Sequence, residues 1–265
     1  MNHIEALISP MRLIFLGTGT STGIPVVGCR CPVCISSDPR NQRTRTSALL
    51  QIGEQRLLID AGPDFRIQAL RAQICHLDAV LLTHSHFDHV AGLDDLRPII
   101  PLGNKIPIFG NARTLADVRR RFDYAFVDNA VSIGSTRPAL ELCLVEGPFQ
   151  IGTTRIIPVE ILHGDWTITG YRIGRLGYIT DASLVPAPAR AILCDLDVLV
   201  LNALRFEPHP THLSIDQALA VIADLRPKRA FLVHIGHRVD YSTVNARLPP
   251  GVELAYDGLE IEIMR

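Results

Sequence analysis

The run Thr83-His84-Ser85-His86-Phe87-Asp88-His89 gathers three imidazoles and a carboxylate directly after the apolar stretch Ala79-Val80-Leu81-Leu82. Residues two apart in an extended segment point the same way, so His84 and His86 share a side, and Asp88 and His89 follow as the chain bends. Neutral imidazole and carboxylate are the ligands that borderline divalent metals prefer. A surface histidine tract is the plain alternative, but such tracts are repetitive and have no buried strand feeding them. Metal binding is the expected chemistry.

Two coordination spheres need more ligands than this run supplies, and three further residues close apolar runs in the same manner. His163 follows Ile156-Ile157-Pro158-Val159-Glu160-Ile161-Leu162, Asp181 follows Gly177-Tyr178-Ile179-Thr180, and His234 follows Ala230-Phe231-Leu232-Val233. Singly, each reads as a capping aspartate or a hydrogen-bonded histidine. Together with the first cluster they complete two spheres.

A second constellation is Gly28-Cys29-Arg30-Cys31-Pro32-Val33-Cys34, three thiols on one tight loop. Soft sulfur ligands at this spacing favour zinc, and a fourth ligand would close a structural tetrahedron. The rival is a Cys31/Cys34 redox pair, against which stand the third cysteine and the missing thioredoxin-like context. Cys75, Cys143 and Cys194 read as free core cysteines.

The elements that must position these groups are strands more often than helices. Strand-like stretches fall at 13–16, 47–52, 56–60, 79–82, 106–109, 141–145, 155–161, 169–173, 176–180, 198–202 and 230–234. Helical patterns fall at 64–72, 112–124, 187–193 and 214–225. The last is the clearest: Ser214 and Gln217 form a capping box, Ile215, Leu219, Ile222 and Leu225 share a face, and Pro227 stops it. Such an order favours sheets packed face to face with helices outside. The stretch 123–138 is the least patterned and is expected to be a mobile loop over the site.

The chain has 265 residues, 47% hydrophobic and 20% charged, which suits one compact domain over 11–265 after a short extension at 1–10. A formal net charge of -1 provides no global field to recruit long nucleic acid or anionic lipid. Arg119-Arg120-Arg121 reads as a solvated helix face, whereas Arg40, Arg43 and Arg45 follow the cysteine loop and are candidates to reach an anionic substrate. There is no apolar run long enough to span a membrane and no signal-peptide pattern, so a cytoplasmic protein without disulfides is expected.

The set His84-x-His86-x-Asp88-His89 with His163, Asp181 and His234 resembles the metallo-β-lactamase superfamily over nearly the whole chain. The resemblance implies a four-layer αββα sandwich with its site along one edge. It implies that His84, His86 and His163 hold one metal, that Asp88, His89 and His234 hold another, and that Asp181 bridges them. Leu57-Leu58-Ile59-Asp60-Ala61-Gly62 resembles the family's early aspartate motif, which supports the metals from behind. Di-iron redox members carry glutamate where this chain has His86, so hydrolysis is implied.

Cys29-x-Cys31-x-x-Cys34 after Leu16-Gly17-Thr18-Gly19 resembles the PhnP-like phosphodiesterases, which act on a cyclic ribose phosphate diester. That likeness implies His237, in His234-Ile235-Gly236-His237, as fourth ligand of a structural zinc. It also implies His212, just ahead of the capped helix, as proton donor. His209, His3 and His76 read as ordinary loop residues. A related branch in redox-cofactor biosynthesis carries the same cysteine loop but often lacks the full histidine cluster.

The expected function is hydrolysis of small or cyclic nucleotide or ribose phosphodiesters, dependent on two divalent metals, zinc or manganese. Two such ions roughly 3.5–4 Å apart activate water and clamp both oxygens of an in-line displacement. Asp181 would orient the nucleophile, Asp88 would hold its metal, and His212 would protonate the departing alkoxide. The partner is then a small phosphodiester, and the resemblance adds a possible homodimer. The alternatives are a transfer-RNA 3′-processing nuclease, which needs a large basic platform, a thioester or lactone hydrolase on the same centre, and a non-catalytic nucleotide-binding or metal-sensing protein.

Overall fold

The structure, a computed structural model, describes residues 11–101, 103–126 and 137–264. The expected N-terminal extension lies outside the described residues. So does most of the expected loop over the site, of which residues 123–126 form a short 3-10 turn.

Two seven-stranded mixed sheets carry the fold. The first has the order β14-β1-β2-β3-β4-β5-β6, where β1 is Met11–Gly17, β2 Ser47–Ile52, β3 Gln55–Ile59, β4 Ala79–Leu81, β5 Ile106–Gly110, β6 Leu140–Leu144 and β14 Glu260–Ile263. The second runs β13-β12-β11-β10-β9-β8-β7, with β7 Phe149–Ile151, β8 Thr154–His163, β9 Trp166–Ile173, β10 Leu176–Tyr178, β11 Val198–Asn202, β12 Arg229–Val233 and β13 Val252–Leu254. In each sheet an antiparallel portion gives way to parallel strands: β3 pairs parallel with β4, and β10 with β11.

Alternation along the strands builds the layers. Leu13 and Phe15 of β1 point between the sheets, where Phe15 meets Phe231 at 5.6 Å, while Ile14 and Leu16 point outward. The outward face of the first sheet is covered by α1 (Phe65–Arg71) and α3 (Ala112–Arg121), through Phe65, Leu115 and Val118. The second sheet is covered by α4 (Ala187–Ile192), α5 (Ile215–Leu225) and α6 (Tyr241–Asn245). Burying each large side chain of these layers stabilises the fold by roughly 1.5–3 kcal/mol. The result is the αββα sandwich. Among the described residues no helix is long and apolar enough to cross a membrane.

The capped helix forms as expected: the Ser214 side chain accepts from the Gln217 backbone N–H, the Gln217 side chain answers on Ser214 N–H, and Arg226 ends the helix in a left-handed conformation. Three strands were not foreseen, β7, β13 and β14, and all three are edge strands of three or four residues. A strand paired on one side only carries a short apolar signature. The helix α2 (Phe87–Val90) and α6 were also missed, each being barely longer than a turn.

Other expectations are corrected. Cys75 and Cys194 are exposed and Cys143 is half-buried, so none is a core cysteine. Cys75 and Cys194 sit in surface turns after α1 and α4, and Cys143 lies on the edge strand β6. Arg43 does not reach outward: it is buried, donating to Thr18 Oγ1 at 2.7 Å and to the Ala255 carbonyl. Arg40 is held by Asp38 at 2.8 Å and Arg45 by Asp64 at 3.1 Å. The arginine triplet is exposed, as expected, and the Arg121 guanidinium also donates to the Ser85 carbonyl.

Candidate metal centre

Strand ends deliver the site. Asp60 follows β3, the run His84–His89 follows β4 and enters α2, His163 closes β8, Asp181 follows β10 and His234 follows β12. Loops at the carboxyl ends of parallel strands converge in layered α/β folds, and here two sheets aim theirs at one edge. His84, His86 and His163 come together as one group of potential ligand atoms within 4.8 Å of one another, and Asp88, His89, Asp181 and His234 as another. His163, Asp181 and His212 form a third overlapping set.

Local backbone geometry shows what this convergence demands. Asp60, Asp181 and His234 have φ of 60°, 58° and 56°, half of the non-glycine residues in the left-handed region among those described. Each such conformation costs about 1–3 kcal/mol and persists where surrounding contacts hold it. Asn202 holds Asp181 in place by accepting from Ala182 N–H at 2.7 Å and donating to Ala182 C=O at 3.0 Å. Gly62 lets the loop after β3 touch α2, since a Cβ there would lie 2.1 Å from the Asp88 carbonyl oxygen.

The hydrogen-bond network assigns the tautomers. Asp60 accepts from Thr83 N–H and Thr83 Oγ1, both at 2.8 Å, and from His89 Nδ1 at 2.7 Å. With its proton committed to Asp60, Thr83 Oγ1 accepts from His84 Nδ1 at 3.0 Å. His163 Nδ1 donates to the Asp181 carbonyl at 2.7 Å. The Nε2 atoms of His84, His89 and His163 therefore face inward, and such outer partners are what orient metal-binding histidines. His84 Nε2 lies 3.0 Å from His86 Nδ1, so both nitrogens point into the same space. His89 Nε2 and both ring nitrogens of His234 are buried without a hydrogen-bond partner. These groups fit divalent metal ions.

Burial opposes charge on Asp181, yet His234 and His89 beside it outweigh burial and keep its carboxyl well below the ordinary carboxylate range. Asp88 is likewise held down against its burial, chiefly by His89. Burial, reinforced by His89, pushes His84 well below the usual imidazole value and so keeps it in the neutral, ligating form.

His212 stands at the rim. Its Nε2 lies 3.1 Å from Asp181 Oδ2, and its ring stacks on His234 at 4.9 Å. Burial pushes His212 down to about 4, with Asp181 pulling the other way. His209, read as an ordinary loop residue, has its Nδ1 3.2 Å from His212 Nδ1 and within 3.1 Å of Thr211 Oγ1. Sequence reasoning also missed Trp166, the β-sheet partner of His163, whose ring meets His86 edge-on at 4.8 Å. Pairing across a hairpin was the signal that would have found it.

The cysteine loop closes on the same segment. His237 Nδ1 lies 3.3 Å from Cys29 Sγ and 3.6 Å from the Sγ atoms of Cys31 and Cys34. Zinc bonds of about 2.3 Å to sulfur and 2.0–2.1 Å to nitrogen give tetrahedron edges of about 3.5–3.6 Å, so the four donors have the spacing of a closed zinc site. His237 lies three residues beyond His234, and the intervening Gly236 packs so tightly that a Cβ would meet the Leu204 carbonyl oxygen at 2.8 Å.

Residues 55–235 match the Beta-lactamase superfamily domain. The chain belongs to the β-lactamase superfamily. Within this superfamily, a new diphosphatase from the PhnP family has a solved structure 38% identical to this chain, with a TM-score of 0.91 over 97% of this chain and 98% of its own. That likeness agrees with the PhnP-like character read from the cysteine loop. Zn(2+)-bound PqqB from Methylobacterium extorquens shares the fold at 22% identity, with a TM-score of 0.77 over 95% of this chain and 100% of its own. An octanoyltransferase of Porphyromonas gingivalis is 42% identical over 255 residues. The match takes in 94% of this chain and 51% of that relative, so the chain spans about half that relative's length. Superfamily membership gives the chain the metallo-β-lactamase fold, and the His/Asp cluster gives it groups that could hold divalent metals.

Proposed function

We propose that the chain is a phosphodiesterase acting on small or cyclic nucleotide or ribose phosphodiesters. His84, His86 and His163 would hold one divalent ion, Asp88, His89 and His234 a second, with Asp181 shared between them. Two such ions supply Lewis-acid charge and lower the pKa of a water to near neutrality. The residues do the rest. Asp60 and Thr83 lock the imidazoles, Asp181 orients the attacking water, and Asn202 holds Asp181.

The observation that carries the reading is His212 at 3.1 Å from Asp181. A sugar alkoxide is a poor leaving group and gains from a positioned acid, whereas a thiolate leaves without one. An anionic phosphodiester against His212 favours the charged imidazolium and so opposes the burial that keeps this ring neutral. The 38% identity to a PhnP-family diphosphatase supports phosphorus as the electrophile, and extends the panel to phosphoanhydrides. The closed Cys29/Cys31/Cys34/His237 set is read as a structural zinc site that steadies the loop carrying His234. A formal charge of -1 speaks for a small-molecule partner over long nucleic acid.

The test is turnover by zinc- or manganese-loaded protein on matched substrates: a cyclic ribose phosphate, a 2′,3′-cyclic nucleotide, a nucleoside diphosphate derivative, linear RNA and an octanoyl thioester. Preference for the cyclic diesters is expected. Preference for RNA or the thioester overturns the substrate class, and preference for the diphosphate moves the reading to phosphoanhydride hydrolysis.

A further inference from the structure

One face of α3 is committed to the first group of ligands. Arg113, Asp117 and Arg121 lie four residues apart and so line up along the helix. The Arg113 guanidinium sits 4.2 Å over the Trp166 ring, and that ring meets His86 at 4.8 Å and His84 at 5.6 Å, both nearly perpendicular. Asp117 Oδ2 accepts from Ser85 Oγ at 2.6 Å, and Arg121 donates to the Ser85 carbonyl. Ser85 is the residue between His84 and His86, so both flanking ligands are gripped through backbone and aromatic ring at once. Arg120 pairs with the other oxygen of Asp117 at 2.8 Å and fixes its carboxylate.

The helix is itself anchored. Asn111 caps it by accepting from Thr114 N–H at 2.9 Å and donates to Thr169 Oγ1 at 3.2 Å, while Leu115 and Val118 are buried in the outer core. The second group is held by other means. His89 rests on Asp60, Asp181 on the Ala182–Asn202 pair, and His234 on the segment stitched by Ile235 N–H to the Thr18 carbonyl at 3.0 Å. No hydrogen bond, ion pair or ring contact links α3 to Asp88, His89, Asp181 or His234 among the described residues.

We infer that α3 is a positioning element for one metal position only, that of His84, His86 and His163, with Asp117, Arg121 and the Arg113–Trp166 pair as its working residues. The inference rests on the proposal that this centre holds two ions. Outer partners of metal-binding side chains are worth about 10–100-fold in metal affinity, and α3 concentrates that effect on one side of the centre. The two positions would then differ in affinity.

The test measures zinc affinity by chelator competition in full-length protein in which one group at a time is disabled. On a His234→Ala background, Asp117→Ala with Arg121→Met should weaken zinc binding by about 10–100-fold. On a His84→Ala background the same pair of changes should shift it less than about twofold, well below that range. Asp117→Asn alone, which keeps an oxygen acceptor for Ser85, should restore most of the affinity, and thermal melting confirms that each variant is folded. Equal loss on both backgrounds, or no loss on either, overturns the inference while leaving the two-ion reading intact. Wild-type protein that binds no ion at the His/Asp centre overturns both.

Discussion

The His/Asp centre and the cysteine cluster share a single segment, residues 234–237, yet they are built on opposite principles. The centre at His234 gathers imidazoles and carboxylates, most of them fully buried, on strained backbone, with His212 at its open rim. The cluster at His237 is three sulfurs and one nitrogen, with nitrogen–sulfur separations of 3.3–3.6 Å, buried at Cys34 and half-buried at the other three. On the proposed reading, the hard and borderline ligands form the reactive centre, whereas the three sulfurs and one nitrogen form a structural one. Position in the chain therefore says little about role. Ligand chemistry and openness decide it.

The largest expected effect falls on the open side. His212→Ala should lower turnover of alkyl phosphodiesters by about 10²–10⁴-fold and of nitrophenyl esters far less, because a good leaving group needs no acid. Steady-state kinetics on the paired substrates reads this, and equal losses would remove the proton-donor role.

Next comes the closed side. Cys31→Ser should lower zinc content by one ion and reduce stability while leaving activity per folded molecule largely intact. A loss of about 3 kcal/mol would move the melting temperature of a domain this large by roughly 6–12 °C. A folded, zinc-replete variant with no activity would erase the distinction between the two sites.

Gly236→Ala probes what the sites share. Its Cβ would meet a backbone oxygen at 2.8 Å, so the segment must shift and His234 and His237 with it. Metal analysis should register weaker binding at both sites; an effect confined to one would show that the segment does not couple them.

The smallest effect lies at the margin of the cysteine side. Hydrogen bonds from Arg40 hold Asp38 down to about 2, below its ordinary 3.8. A depressed carboxylate stabilises the fold above about pH 4 and loses that contribution as pH falls toward 2. Asp38→Asn should then cost no more than about 1 kcal/mol at neutral pH, because the pair is partly exposed. Melting curves of variant and wild type should converge near pH 2.

Much of this was legible from residue order because the ligands obey a local rule, a polar residue closing a buried strand. The capping box of α5 was legible for the same reason: its signal lies within four residues. What escaped depends on neighbours distant in sequence. Trp166 and the Arg113–Asp117–Arg121 face matter only once the β8–β9 hairpin and α3 lie beside the His84–His86 turn. Arg43 looked like a reaching cation because nothing near it in sequence reveals the interior into which Thr18 and Ala255 draw it. The edge strands β7, β13 and β14 escaped because each is three or four residues long and paired on a single side.

Two metal environments of different kind are proposed for this one chain. Anomalous diffraction at the zinc edge from crystals of the zinc-loaded protein tests this most directly. Three peaks are predicted: two flanking Asp181, roughly 3.5–4 Å apart, and one enclosed by Cys29, Cys31, Cys34 and His237. A single ion or none beside Asp181, or a cysteine loop without zinc, would contradict it.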